Sequence, residues 1–353
     1  MPMIISDEQI QKFRKLIGNA SSIVLIPHQN PDGDAIGSIL GWWNIFRRRG
    51  LDAKVVVPDE VPANLLWMNG SGEILIYDND PGQSRQVIGN ADLFFFMDFN
   101  SIDRAGDMAE ILSQTHASRI LIDHHPRPVP GIADLLFSDT SVSSTCELSY
   151  HLIQALGWSN DLDILASGCL YAGIITDTGS LSYNSSHPRT YHSVADLVGR
   201  GIDKEMIHKE LFQSNSYTRM KLLGHVLCDK LELMEDSYTA FIAISKDELD
   251  EFNYQPGDTE GFVNYPLGIK GVDISALFTE REKNKFVKIS MRSRGHIPIN
   301  LYSEEFFSGG GHPNAAGGEW YGTLDEAIAR FRATLPGFIA QLPDHKKPVN
   351  AGK

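Results

Sequence analysis

Ile23-Val24-Leu25-Ile26-Pro27-His28-Gln29-Asn30-Pro31-Asp32-Gly33-Asp34 decides how this chain is read. An unbroken apolar run leads into a loop punctuated by Pro31 and Gly33, and helical periodicity follows over Asp34–Arg49. A strand that is apolar at every position is buried on both faces, which marks a parallel sheet. The pattern recurs. Leu93–Met97 ends at Asp98, and Ile120–Ile122 ends at Asp123-His124-His125. Ala53–Val57, Leu75–Tyr77 and Leu135–Phe137 are further strands, while residues 7–17 and Met108–Gln114 read as helices. Ligands of such sheets bind at the carboxyl ends of the strands, so His28, Asp98 and Asp123 are expected at one rim despite their separation in sequence.

Each motif allows a chemical and a plainer reading. In His28-x-Asn30-Pro31-Asp32-Gly33-Asp34, the two carboxylates can project to different sides and serve different metals. Imidazole with carboxylate suits manganese, zinc or iron better than calcium. The plainer reading is a turn in which Asp34 caps a helix from Ala35. Asp98 is a functional acid or a turn residue, and Arg104 pairs with Asp103 or reaches a phosphate. In Asp123-His124-His125, one imidazole can take a metal while the other faces substrate; a silent surface pair is the alternative. Asp177 closes the apolar helix Ile164–Ile175, where a buried acid needs a partner such as a metal; the alternative is a C-terminal cap closed by Gly179. Gly309, Gly310 and Gly311 can converge their N–H groups on an anion, with His312 and Asn314 adding donors, or form a linker. Arg292 suits bidentate phosphate binding, or belongs to an exposed strand-end pair with Arg294. His187 and His192 are read as surface residues.

The chain has 353 residues, long for one domain. Ser143 to about Leu227 is mainly helical, with Ser143–Glu147 an N-cap and acidic first turn. Strands return at Asp229–Leu233, Tyr238–Ser245, Val272–Glu282 and Phe286–Ser293, and an amphipathic helix over Leu324–Leu342 is interrupted by Pro336. This divides the chain into a catalytic α/β domain (1–190), a helical linker (191–229), a smaller α/β domain (230–343) and a polar tail (344–353). An apolar fraction of 42% supports a true core, and a net charge of −14 speaks against a long nucleic acid as stable partner. Cys146, Cys169 and Cys228 lack metal or redox spacing and read as reduced core residues. No secretory leader pattern opens the chain and no apolar run is membrane-length, so a cytoplasmic enzyme without a membrane partner is expected. Trp42, Trp43 and Phe46 are read as core rather than a dimer face, with a homodimer left open.

Taken in order, HxNPDGD at 28–34, Asp98 with Arg104, Asp123-His124-His125, the Asp177 segment and GGGHPNAAG at 309–317 resemble the DHH phosphoesterase superfamily with its DHH-associated C-terminal domain. Among its branches, the chain is similar to the bacterial oligoribonuclease (nano-RNase) and 3′-phosphoadenosine-5′-phosphate (pAp) phosphatase group. The resemblance implies two divalent metals, usually manganese, and places the active site in a cleft facing the C-terminal domain. It assigns His28 and Asp32 to one metal and Asp34, His124 and Asp177 to the other, with Asp98 bridging. His125 would face the scissile phosphate, and Asn30 and Asp123 would support the ligands. Arg104, Arg292, Gly309, Gly310, Gly311, His312 and Asn314 would bind a short RNA or nucleotide. The implied reaction is metal-assisted attack of water on phosphorus, trimming very short RNA and converting pAp to AMP. Alternatives are a linear dinucleotide (pApA) phosphodiesterase, a pyrophosphatase or exopolyphosphatase, and a non-catalytic nucleotide-binding regulator. Two features depart from the family pattern: Tyr183 follows Asp177 in a segment where relatives often carry Phe, and Phe99-Asn100-Ser101 replaces a small polar run.

Overall fold

The computed structural model describes residues 5–343, so the polar tail from 344 lies outside the described residues. The chain forms two compact units that divide between Ser214 and Asn215. In chain order the first holds α1 (Asp7–Asn19), β1 (Ile23–Ile26), α2 (Gly33–Arg48), β2 (Ala53–Val57), β3 (Ile74–Ile76), α3 (Pro81–Gly89), β4 (Leu93–Met97) and α4 (Ala109–Gln114). It continues with β5 (Ser118–Asp123), β6 (Leu135–Ser138), α5 (Thr145–Ala155), α6 (Ile164–Asp177), α7 (Pro188–Gly199) and α8 (Lys204–Phe212). The second unit holds α9 (Tyr217–Asp229), β7 (Leu231–Met234), β8 (Thr239–Ile244), α10 (Lys246–Glu251), β9 (Ile274–Glu282) and β10 (Phe286–Ser293). α11 (Ile299–Phe306), β11 (Gly310–His312), β12 (Ala315–Tyr321) and α12 (Leu324–Gln341) complete it.

The first sheet runs β3-β2-β1-β4-β5-β6, and every pair is parallel. Alternate side chains feed opposite cores, as a strand buried on both faces requires. Ile23, Leu25, Phe95, Ile120 and Ile122 join one cluster with Phe13 of α1, Trp42 and Phe46 of α2, and apolar residues of α5 and α6. Val24, Ile26, Phe94, Phe96 and Leu121 join the other, with Ile88 of α3 and Leu112 of α4. Strand order reverses between β1 and β4, and both strands end at a proposed ligand.

The second sheet runs β11-β12-β10-β9-β8-β7, antiparallel except for the parallel pair β8–β9. α11 and α12 cover one face through Tyr302, Phe331 and Leu335, while Leu222 and Val226 of α9 pack on the other.

Several elements differ from the sequence reading. α7 packs on α5 and α6, and α8 packs on α6, so both lie within the first unit. α12 continues through Pro336 without a break. Pro336 removes one intrahelical donor, but Phe331, Leu335 and Ile339 keep a continuous buried stripe on either side of it. Cys146 and Cys169 are buried, whereas Cys228 on α9 is exposed. Gly309–Gly318 is a hairpin of β11 and β12, not an irregular loop.

α2 and α6 approach closely because glycines face the contact. A Cβ built on Gly37 would lie 2.6 Å from the Cys169 carbonyl oxygen and 3.1 Å from the Gly173 nitrogen. Both neighbours are backbone and cannot swing aside. Gly37→Ala is expected to cost about 1–3 kcal/mol in urea unfolding followed by tryptophan fluorescence; an unchanged midpoint would overturn the close packing of the two helices.

Candidate metal centre

The first unit gathers its ligands from the carboxyl ends of β1, β4 and β5 and from the C-terminus of α6. His28 follows β1 and is 6% exposed. Its Nδ1 lies 2.8 Å from the Gln29 carbonyl oxygen, so that edge donates and Nε2 faces the carboxylates. Nε2 lies 3.5 Å from Asp98 Oδ2 and 4.0 Å from Asp32 Oδ1. Asp32, rather than Asp34, caps α2: it accepts from the N–H groups of Asp34 (3.0 Å) and Ala35 (3.1 Å). Burial raises its pKa, but His28 and these two amides outweigh burial and hold the carboxyl below its ordinary value.

Asp34 and Asp98 are almost wholly buried. Asp98 sits just past β4 with φ 65, in the left-handed region that Asp tolerates better than bulkier residues. Burial and the charges around them push both carboxyls well above the usual carboxylate range; Asp98 and Asp32 repel Asp34, while His125 only partly offsets Asp32, Asp177 and Asp123 at Asp98. Among the described residues, the ion-pair partners of Asp34 and Asp98 are histidines.

β5 ends in Asp123, which is fully buried. Nε2 of His124 lies 3.8 Å from Asp34 Oδ2, 3.5 Å from Asp98 Oδ1 and 3.6 Å from Asp177 Oδ2. Burial and the neighbouring His125 lower its pKa to about 3, so the ring is neutral at physiological pH, the form in which an imidazole can bind a metal. His125 Nδ1 donates to Asp123 Oδ1 at 2.7 Å and lies 3.7 Å from Asp98 Oδ1. Burial opposes its charge, but the Asp123 carboxylate outweighs burial and raises the pKa. The two rings are turned 71° from each other, and so the pair splits its roles as adjacent strand-end residues can. Asp177 closes α6 but is not buried as the sequence suggested: its side chain is 28% exposed.

Among the described residues of the first unit, three groups emerge, each with its candidate ligand atoms within 4.8 Å: His28, Asp32 and Asp98; Asp34, His124 and Asp177; and Asp98, Asp123 and His125. The donor set fits divalent metals. The neutral imidazole of His124 and the mutually repelling buried carboxylates converge, and a cation would offset that repulsion.

The sequence reading gives α5 a capped start but no part in the site. Its first N–H groups have no partner within the helix. Two of them meet Asp34: Thr145 N–H donates to Oδ2 at 2.6 Å and Cys146 N–H to Oδ1 at 2.9 Å. Thr145 Oγ1 donates to Asp98 Oδ1 at 2.8 Å. One residue therefore ties the two acids that belong to different ligand groups. The cap signal Ser144-Thr145-Cys146-Glu147 was legible, but not the carboxylate in front of it.

The other candidates stand in varied settings. Asn30 is exposed with φ 51, and its N–H donates to both Asp59 carboxylate oxygens at 2.8 Å. Arg104 is exposed on the short helical segment Ile102–Met108, and its carbonyl accepts from Gln29 N–H at 2.6 Å. In the second unit, Arg292 pairs across β10 and β12 with Ala315, which pairs with His312 of β11. Arg292 and His312 thus share a row and a face of that sheet, about 10 Å apart at ordinary strand spacing. The glycines answer to packing: a Cβ on Gly309 would lie 1.9 Å from the Gly317 oxygen, and the Gly309 N–H already donates to the Ser303 carbonyl. Asn314 Nδ2 donates to Ser293 Oγ (2.9 Å) and the Gly295 carbonyl (3.2 Å), bracing the turn after β10.

Residues 22–174 match the model of the DHH family, N-terminal domain, and residues 236–341 that of the DHHA1 domain. An exopolyphosphatase-related protein from Bacteroides fragilis has a crystal structure that superposes with a TM-score of 0.88 at 37% identity, covering 96% of this chain and 98% of that one. The chain belongs to the DHH family. It is a phosphoric ester hydrolase. The bifunctional oligoribonuclease and PAP phosphatase NrnA of Bacillus subtilis is 28% identical over 309 residues, covering 87% of this chain and 91% of that protein. The cyclic-di-AMP phosphodiesterase GdpP of the same organism is 25% identical over 343 residues, but the match spans only 49% of its length.

The linkage between charge and stability has a definite sign. Asp34 and Asp98 have raised pKa values in the folded protein. Their contribution is therefore complete below the unfolded carboxylate pKa and is lost as pH rises through the folded values. Near neutral pH the metal-free protein is strained by these charges. Asp98→Asn keeps an acceptor for Thr145 and suits φ 65, so it is expected to raise the metal-free melting temperature at neutral pH, by about 2–4 °C per kcal/mol of repulsion removed. A divalent ion should stabilise the wild type, less so as pH falls, and stabilise Asp98→Asn much less. A metal-free Asp98→Asn protein less stable than the wild type at neutral pH would contradict this account.

Proposed function

We propose that this enzyme hydrolyses very short oligoribonucleotides to mononucleotides and converts pAp to AMP, using two divalent ions, most plausibly manganese. The single observation that carries the reading is Asp98 standing between two His-and-Asp ligand groups, with His28 Nε2 at 3.5 Å and His124 Nε2 at 3.5 Å. The similarity to NrnA along most of both chains supports the substrate class. In this reading His28 and Asp32 would hold one ion and Asp34, His124 and Asp177 the other, with Asp98 available to either. When bound, the ions lower the pKa of water and draw charge from the phosphoryl oxygens.

The chain's own residues do the rest. Asp123 orients His125 and favours its charged form, in which Nε2–H can donate to a phosphoryl oxygen as negative charge builds there. Thr145 and the first turn of α5 hold Asp34 and Asp98 in place. Asn30 orders the loop that carries Asp32. Arg104, Arg292 and His312 are the residues proposed to bind the remainder of the substrate. Short chains suit such a site, since the net charge of −14 offers no extended basic track for a long one. The protein acts in the cytoplasm, where these substrates arise.

A second reading is favoured by particular relatives: GdpP, a cyclic-di-AMP phosphodiesterase, supports a dinucleotide as substrate, and the exopolyphosphatase-related protein of Bacteroides fragilis supports polyphosphate. A manganese-supplemented panel separates them. It compares RNAs of two to five residues, a longer RNA, pApA, pAp, pyrophosphate and polyphosphate. Mononucleotide release from the shortest RNAs is expected, and Asp98→Ala should abolish it while leaving the fold intact. Phosphate release from pyrophosphate or polyphosphate alone would replace the nucleotide reading. Arg292→Ala should raise KM about tenfold or more with kcat little changed, as loss of a charge-assisted phosphate contact does; an unchanged KM removes Arg292 from the substrate site.

A further inference from the structure

Glu147, on the first turn of α5, is a fully buried carboxylate that the chemistry above does not use. Its Oε2 accepts from Ser143 N–H at 2.8 Å, Ser143 Oγ at 2.5 Å and Thr190 Oγ1 of α7 at 3.0 Å. Its Oε1 lies 3.5 Å from both His151 Nε2 and Arg189 Nε. Burial opposes its ionisation, but His151, Ser143 and Thr190 outweigh burial, and the carboxyl stays below its ordinary pKa. A buried anion is costly unless it is hydrogen-bonded; here Oε2 takes all of these hydrogen bonds, from Ser143 and Thr190, while Oε1 has only the 3.5 Å ion-pair contacts with His151 and Arg189.

That turn leads directly to the metal centre. Ser143, gripped by both its N–H and its hydroxyl, is followed by Ser144, which caps α5 by accepting from Glu147 N–H at 3.0 Å. Thr145 and Cys146 come next, and their N–H groups meet Asp34 while the Thr145 hydroxyl meets Asp98. Asn184, beyond Asp177, donates to the Ser143 carbonyl at 2.9 Å. The first turn of α5 is therefore clamped from behind by Glu147 and α7, and from the front by the acids it presents.

We propose that Glu147 is a positioning residue for the metal centre. It sets the height and tilt of the α5 N-terminus, and through Thr145 and Cys146 it fixes the separation of Asp34 and Asp98. The role rests on the reading of that cluster as a metal centre, but not on any one substrate. Thr190 extends the support to α7, away from the reacting groups. Loss of Glu147 should loosen the ligands without removing one.

The test uses the full chain with Glu147→Gln and Thr190→Val, titrated calorimetrically with manganese(II) and assayed on the substrate the wild type accepts. Partners that orient ligands typically contribute about 10–100-fold to metal affinity or activity. Glu147→Gln is expected to weaken manganese binding and lower kcat within that range, with KM unchanged. Thr190→Val should move both in the same direction by less. A wild-type manganese Kd and kcat in folded Glu147→Gln, whatever its melting temperature, would overturn the positioning role and leave Glu147 a stability residue. Should Glu147→Gln not fold, a wild-type Kd in Thr190→Val overturns the role on its own. A wild type that binds manganese but cleaves no phosphoester sinks the hydrolytic reading and leaves the Kd comparison decisive for Glu147.

Discussion

The first unit depends on the reversal of strand order between β1 and β4. Chains leaving these two strands turn to opposite sides of the sheet, and a crevice opens between them. His28, Asp32 and Asp34 leave β1, and Asp98 leaves β4, so the crevice receives ligands from both directions. β5 adds the two histidines from the next position. No other place in a parallel sheet collects side chains so distant in sequence, and the fully apolar strands exist to make that sheet.

Collecting acids is costly, and the structure offsets that cost locally. Asp34 receives two N–H groups at the N-terminus of α5, where the helix dipole favours negative charge. Asp32 receives two at the start of α2, and Asp98 receives the Thr145 hydroxyl. What remains is repulsion, visible in the raised pKa values of Asp34 and Asp98. Stability held back at a site in this way is a common companion of binding chemistry, because the missing counter-charge is the ligand. His124 stays neutral for the same reason, since burial forbids a proton that would block its lone pair.

Much of this was legible along the chain. β1, β4 and β5 announce themselves as apolar runs, and His28, Asp32, Asp98, Asp123 and His124 each follow or end one. The residues that could not be read are those whose meaning lies across a gap. Thr145 looks like an ordinary first-turn residue until Asp34 and Asp98 are in front of it. Gly309 looks like an anion cradle until Gly317 lies against it in a hairpin. Asp34 reads as the cap of α2 in the sequence, and the backbone path gives that place to Asp32.

The parallel sheet and the two-part division follow from the sequence alone, as do the candidate ligands at the strand ends, because burial on two faces and turn chemistry are local properties of the chain. The sequence also determined the residue types, and with them the preference for a metal of intermediate hardness. Tertiary structure decided which acids repel one another, which imidazole stays neutral, and that α5 aims its N-terminus at Asp34. Those depend on distances between segments far apart in sequence, and electrostatic energy in a buried site is set by such distances rather than by order along the chain.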